Sequence, residues 1–306
     1  KALLRLLYAA AMGVTLALLL FWEHLEYIYK REFALSNAAL LALDAVVLAL
    51  LAAAAVLMRR KGRLSFPLSS HAARAARILM AAVLFGAQLA LCLNNLFEAG
   101  WDVAGIVEST RVLANGGVLQ HDYYSMYPNN LMSVYLYGVV SLLLKATGLW
   151  ETIGFPVDIG AFSILNCILS SLTGILLWRC ARQLTCSKGT ADIVWLLYAG
   201  LIGLSPWLIV PYSDSLSLLF TTLLLSISLH PFRRSWTRWS LLGAVGALGY
   251  AVKPQGAVML IAIILGRLIC DVLPVWHRRT SGRIRQWACA GLALCLTAVV
   301  CFGLIG

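Results

Sequence analysis

The chain has 306 residues, of which 61% are hydrophobic and 12% charged, with a mean hydropathy of +0.85. That balance excludes an ordinary soluble domain, whose apolar share is nearer half. The net charge of +11 invites a nucleic-acid reading, but 19 of the 24 Lys and Arg fall in short clusters beside apolar runs, the positive-inside signature of membrane topology.

Crossing the hydrocarbon core as helix takes roughly 17–25 apolar residues. Runs of about that kind lie at 3–22, 35–58, 78–97, 157–178, 190–210, 215–230, 239–252, 255–270 and 287–305. The sequence therefore predicts an all-α polytopic membrane protein of about nine spans. Residues 1–76 read as two N-terminal spans with a basic cytoplasmic loop, and 77–306 as the functional core, with an outer loop at 98–156. The first run ends at Trp22-Glu23-His24 without a small-residue cleavage site, so it reads as a retained span.

Basic clusters fix the expected sidedness. Lys1 and Arg5 precede the first span, Arg59 to Arg77 follow the second, and eleven further cations fall in loops between Arg179 and Arg285. A further apolar run at 129–147 would reverse the side of those eleven if it crossed. It is therefore expected to lie at or dip into the outer leaflet. Ten of the thirteen acids then lie outside or at the outer boundary, with only Lys30, Arg31, Arg111, Lys145 and Lys253 as outer cations. The eight cysteines show neither a disulfide framework nor a metal-ligand spacing.

The most informative stretch is the outer loop from Glu98 to Asn130. Val103, Ile106, Val107, Thr110 and Ala114 share one face of a segment over 102–114, stopped by Asn115-Gly116-Gly117. This predicts an amphipathic helix on the membrane surface. Asp102 has two readings, a helix N-cap or a functional carboxylate. Its place at the water–lipid boundary, beside Trp101 and Glu98, favours the second. His121-Asp122-Tyr123-Tyr124-Ser125-Met126-Tyr127-Pro128-Asn129-Asn130 follows. Pro128 suits a helix start, whereas a histidine, an aspartate, three tyrosines and two asparagines suit a sugar. Interfacial anchoring competes equally for Tyr123 and Tyr124.

Two outer turns complete the set. In Pro211-Tyr212-Ser213-Asp214-Ser215, Ser213 or Asp214 can cap the next span, and Asp214 is also held on the same face as the loop. In Lys253-Pro254-Gln255-Gly256 two spans meet almost without spacer. A lysine beside a helix start is an anion site, with snorkelling as its alternative account.

In their order and common sidedness, the acid in Trp101-Asp102, the Tyr127-Pro128-Asn129-Asn130 helix entry, the PYSDS turn and the KP turn resemble the glycosyltransferase C superfamily. The likeness is greatest to its protein O-mannosyltransferase and aminoarabinose-transferase types, and covers about 77–270. The chain departs from the mannosyltransferases in having Asp102-Val103 where they pair Asp with Glu, and in the two spans that precede the resembling region. The resemblance implies a polyprenyl-phosphate sugar donor and an outer-loop acid as catalytic base.

Chemistry agrees with it. Replacing a phosphate at an anomeric carbon by an acceptor hydroxyl requires a base and a cation for the departing phosphate. Asp102 is the expected base. Asp122, with His121, Tyr123, Tyr124, Tyr127, Asn129, Asn130, Asp214 and Glu98, is expected to contact sugar or acceptor, and Lys253 with Arg111 the phosphate. The expected partners are the lipid-linked donor, membrane lipid and a protein, lipid or glycan acceptor, with no nucleic acid. The expected location is that of a multi-pass integral membrane protein, in the cell (plasma) membrane if the source is bacterial, with the site facing outward. The sequence identifies no certain cofactor, and Asp102, Asp122 and Asp214 are carboxylates of the kind that hold Mg²⁺ or Mn²⁺. The alternative class is a transporter or flippase for a lipid-linked or small anionic substrate. Against it, Asp44 is the only acid deep in a span and no internal repeat is visible. A non-catalytic subunit is a third class, opposed by the density of polar and aromatic groups in the loop.

Overall fold

The computed structural model describes residues 70–119, 121–153 and 156–267, and short pieces within 287–299. The chain divides into two units, Lys1–Phe66 and Pro67–Gly306, and all described residues belong to the second. The expected spans at 3–22 and 35–58, and Asp44, lie outside the described residues.

Every regular element among the described residues is helical, in keeping with the all-α expectation. In chain order these are α1 (Ser70–Leu93), α2 (Trp101–Ala114), α3 (His121–Met126), a 3₁₀ turn (Pro128–Asn130), α4 (Leu131–Ala146) and α5 (Leu149–Ile153). There follow α6 (Val157–Thr185), α7 (Lys188–Tyr198), a π turn (Ala199–Gly203), a 3₁₀ turn (Pro206–Ile209), α8 (Ser213–Leu229), α9 (Ser235–Val252) and α10 (Gly256–Arg267). Two helical segments, Arg74–Leu93 and Val157–Thr185, are long and apolar enough to cross a bilayer, and Ser213–Leu229 and Gly256–Arg267 are shorter apolar helices.

The centre of the fold is α6, whose 29 residues extend about 43 Å. It packs against α1, α7 and α8. Gly160 faces Leu93, Ser171 donates to Gln88, and Trp178 stands beside Arg77, so α1 and α6 run antiparallel. Its ends follow from local chemistry. The chain enters after Pro156 and leaves at Cys186, in the left-handed region at φ 54°, where the Ser187 side chain caps α7 by accepting from the Thr190 amide at 3.2 Å.

Most buried polar side chains of this bundle are paired with other side chains or with backbone carbonyls, as a low-dielectric interior favours, whereas the Ser133 and Ser141 hydroxyls are buried without a partner among the described residues. Gln88 donates to Ser170 Oγ at 3.1 Å and to the Gly203 carbonyl at 2.7 Å, and accepts from Ser171. Asn166 donates to the Leu208 and Val210 carbonyls at 3.0 and 3.1 Å and accepts from Tyr137 Oη at 2.7 Å. Cys92 and Cys167 are buried free thiols with their sulfurs 3.7 Å apart.

Three expectations are corrected by packing. The apolar run 190–210 is not one helix, because it breaks at the π turn and the Pro206 turn. The helix expected to begin near 78 begins at Ser70. The amphipathic helix forms over almost the expected residues, with Ile106, Val107, Thr110 and Ala114 buried. Its apolar face, however, packs on protein rather than on lipid: Ile106 and Val107 share a core with Tyr124, Val134, Tyr137 and Phe162. The helical period reports an apolar face but not its partner.

The α9–α10 turn depends on a close backbone approach. A Cβ at Gly256 would stand 2.8 Å from the Gly249 carbonyl oxygen, whereas at Gly266 it would meet nothing within 4 Å. Backbone cannot yield as a side chain can, so Gly256→Ala is expected to cost about 1–3 kcal/mol. Thermal melting in detergent should show a lower midpoint for Gly256→Ala and none for the control Gly266→Ala.

Candidate functional site

The loop and the two turns do converge. Trp101 enters α2 with a left-handed backbone, φ 60°, and an 86% exposed side chain. For a bulky residue this conformation costs about 1–2 kcal/mol, a strain of the kind kept at functional positions. It precedes Asp102, whose carboxylate accepts from Tyr123 Oη at 3.0 Å. Asn130, buried in the 3₁₀ turn, donates to the same phenol at 2.9 Å, and Asn129 donates to Asn130 at 3.2 Å. Burial and then the neighbouring Asp102 push the Tyr123 phenol up to about 12.

Neither capping account is realised. The N-cap of α2 is Gly100, with no side-chain bond, and Asp102 lies in the first turn. The N-cap of α8 is Tyr212, again without a side-chain bond. Asp214 instead forms an ion pair with Lys253 and accepts from Trp207 Nε1 at 2.9 Å. Lys253 Nζ lies 5.9 Å from the centre of the Tyr212 ring. Burial, then the nearby Asp102 and Asp214 carboxylates, raise the Tyr212 phenol. In the sequence Tyr212 stands only as part of its turn, with no role of its own. Its signal was adjacency to Ser213-Asp214, which could not show that the ring reaches the first loop.

Arg111 is held elsewhere. Its Nε pairs with Asp158 Oδ2 at 2.7 Å, its Nη1 with Glu98 Oε1 at 2.9 Å, and Glu108 lies at 3.9 Å. Burial opposes this guanidinium's charge, but the bonds to Asp158 and Glu98 win and raise it further. One cation thus faces two close carboxylates: Arg111 joins α2 to Asp158 at the start of α6 and to Glu98 in the loop ahead of α2. Asp158 has a side chain only 3% exposed and carried no role in the sequence reading. Its signal was an isolated acid entering a long apolar run after Pro156.

The remaining expected residues divide. Tyr124 is buried, bonded to Ser109 Oγ at 2.5 Å and edge-on to Tyr123 at 4.9 Å, so it packs rather than faces a ligand. Tyr127 is exposed, its ring 5.3 Å from Tyr123. Asp122 is exposed on α3, and its backbone carbonyl accepts from Ser125. The side chain of His121 lies outside the described residues. Among the described residues no group of three or more His, Cys, Asp or Glu stands close enough to hold a metal ion, so Asp102, Asp122 and Asp214 do not form a divalent-cation site there.

Beside Asp214 lies a cavity of about 240 Å³, lined by Trp207 and Asp214 and by apolar residues such as Leu201, Ile202 and Leu218. Ser170, Ser205 and Ser215 also line it, so Asp214 borders a cavity that is mostly but not wholly apolar.

The fold and this geometry define an integral-membrane helical protein carrying a polar, aromatic site at one end of its bundle. The chain belongs to a family described as conserved hypothetical integral membrane protein, whose model matches residues 1–303. No curated protein and no solved structure matches it.

Two outcomes are expected. Arg111→Leu strands the buried Asp158 charge, so it should destabilise toward the lower end of the ~3–5 kcal/mol range for a broken buried pair, with Asp158→Asn in the double variant recovering part; melting curves check this. Tyr123 has a folded pKa above its ordinary 10, so the stability its protonated phenol contributes is fully present below about pH 10 and lost as pH rises through about 12. The stability gap between wild type and Tyr123→Phe should therefore be constant at neutral pH and shrink over that interval, read by denaturation at a series of pH values.

Proposed function

We propose that this chain is a membrane glycosyltransferase of the glycosyltransferase C type, moving a sugar from a polyprenyl-phosphate donor to an acceptor hydroxyl on the outer face of the membrane. The observation that carries the reading is the meeting of three separate loops: Lys253 pairs with Asp214 beside the Tyr212 ring, the Asp102 and Asp214 carboxylates both act on the Tyr212 phenol, and Asp214 borders a mostly apolar cavity. The reading includes a multi-pass topology of about nine spans in a cell-envelope membrane, with the basic clusters inside.

In the proposed step the acceptor oxygen attacks the anomeric carbon and its proton passes to Asp102. The bond from that carbon to the phosphate oxygen breaks, and the electron pair leaves with polyprenyl phosphate. Tyr123 orients the Asp102 carboxylate, and Asn130 orients Tyr123. Lys253 stabilises the departing phosphate by exchanging part of its pairing with Asp214, and the mostly apolar cavity takes the first isoprene units. Tyr127, Asn129 and Asp122 border the space for sugar and acceptor. Arg111, already facing Glu98 and Asp158, supports the site through α2, which leaves Lys253 as the phosphate contact. No step is routed through a metal ion.

The test is transfer from a radiolabelled polyprenyl-phosphate sugar pool by the full chain in lipid. Asp102→Asn, folded by thermal melting, should lose about 10²–10⁴-fold in rate. Lys253→Ala should raise the donor KM as well as lower the rate. Undiminished transfer by Asp102→Asn would remove the base assignment, and no transfer by wild type with any donor would favour the transporter reading.

A further inference from the structure

The other end of the bundle carries a second built site. A cavity of about 460 Å³ opens between the first turns of α1, the last turns of α6 and the start of α7. Arg74, Arg77, Arg182 and Lys188 line it against one acid, Asp192. That acid is committed: Arg77 forks onto it through Nε at 2.7 Å and Nη2 at 2.9 Å, and Trp178 Nε1 donates to it at 2.6 Å. Balanced against each other, Arg77 and Asp192 leave three cations facing the cavity without an opposing carboxylate in its lining.

The arrangement is preorganised. The Arg77 and Arg182 guanidinium carbons lie 5.4 and 5.6 Å from the centre of the Trp178 ring, so the indole braces both. The wall beyond the charges is apolar, formed by Ile78, Met80 and Ile175. Ile78, which lines the cavity, is 64% exposed, as a residue facing acyl chains would be. From Asp158 to Trp178 along α6 is about 30 Å, the thickness of a hydrocarbon core. The cavity therefore stands at the opposite interface from the Asp102 site.

We propose that this cavity binds an anionic phospholipid, its phosphate ester taken by Arg74, Arg182 and Lys188 and its acyl chain by the apolar wall. Topology alone requires cations on one side of the membrane; it does not require cations from three helices to converge on a braced cavity with an apolar wall, and a lipid phosphate head group explains both. Arginine forks suit phosphate oxygens, and a committed Asp192 does not compete for them. The inference is independent of the transferase reading.

The experiment is thermal melting of the full chain in detergent micelles doped with phosphatidylglycerol or phosphatidylcholine, for wild type, Arg74→Gln/Arg182→Gln and Lys188→Gln. These variants keep the Arg77 fork and the Trp178 bond to Asp192, and equal melting of all three proteins in phosphatidylcholine confirms their folding. A saturable rise in midpoint with phosphatidylglycerol is expected for wild type, with apparent affinity falling about tenfold for each cation removed. Equal phosphatidylglycerol response in wild type and both variants would overturn the proposal, as would an equal response to phosphatidylcholine. Glycerol 3-phosphate distinguishes the source of the phosphate: a weak or absent shift supports the lipid, and a shift as large as that of phosphatidylglycerol overturns the lipid assignment in favour of a soluble phosphate ester. A variant that melts early in phosphatidylcholine is judged instead by native mass spectrometry, where retained phosphatidylglycerol adducts overturn the proposal and their disappearance supports it.

Discussion

The structure depends on one constraint: amides and irregular backbone inside an apolar bundle are costly unless they find partners in the chain itself. Asn166 illustrates it. Its amide takes two carbonyls of the irregular Leu208–Val210 segment while its oxygen takes the Tyr137 hydroxyl. Those three bonds tie α6, α4 and the turn ahead of α8 into one unit. They also fix the backbone two residues before Tyr212, whose own carbonyl accepts from Tyr137 at 3.2 Å. The position of Asp214 is thus decided by an amide buried in the middle of the protein.

The same logic shapes the π turn at Ala199–Gly203. A break in a long apolar run exposes carbonyls, and Gln88 supplies a donor to one of them. Irregular backbone is tolerated in apolar surroundings where another element satisfies it. Here the break opens the cavity beside Asp214 and carries the chain into the turn that bears Trp207 and Asp214.

The two ends of the bundle use charge differently. At one, carboxylates outnumber cations, and Arg111 and Lys253 are each held by acids. At the other, four cations surround one acid. A helix as long as α6 keeps these ends about 30 Å apart, well beyond a Debye length at physiological salt. Each end therefore sets its electrostatics without the other.

The sequence by itself determined the membrane class, the helical architecture, the face of α2 and the identity of most polar residues around Asp102, because these follow from local properties: apolar length, the 3.6-residue period and clustered charge. Asp102, Asp214 and Lys253 were legible as polar groups at the ends of apolar runs. What only the tertiary structure decided is partnership. Capping was a sufficient local account of Asp102 and Asp214, yet their carboxylates turn to Tyr123 and to Lys253, residues distant in sequence. Arg111, read as a phosphate contact, closes on Asp158, 47 residues away. Basic residues that read as a topological signal converge on a cavity around Trp178. Charge and period are written along the chain, whereas the pairing of a buried charge depends on which helix packs beside it, and packing is not a local property.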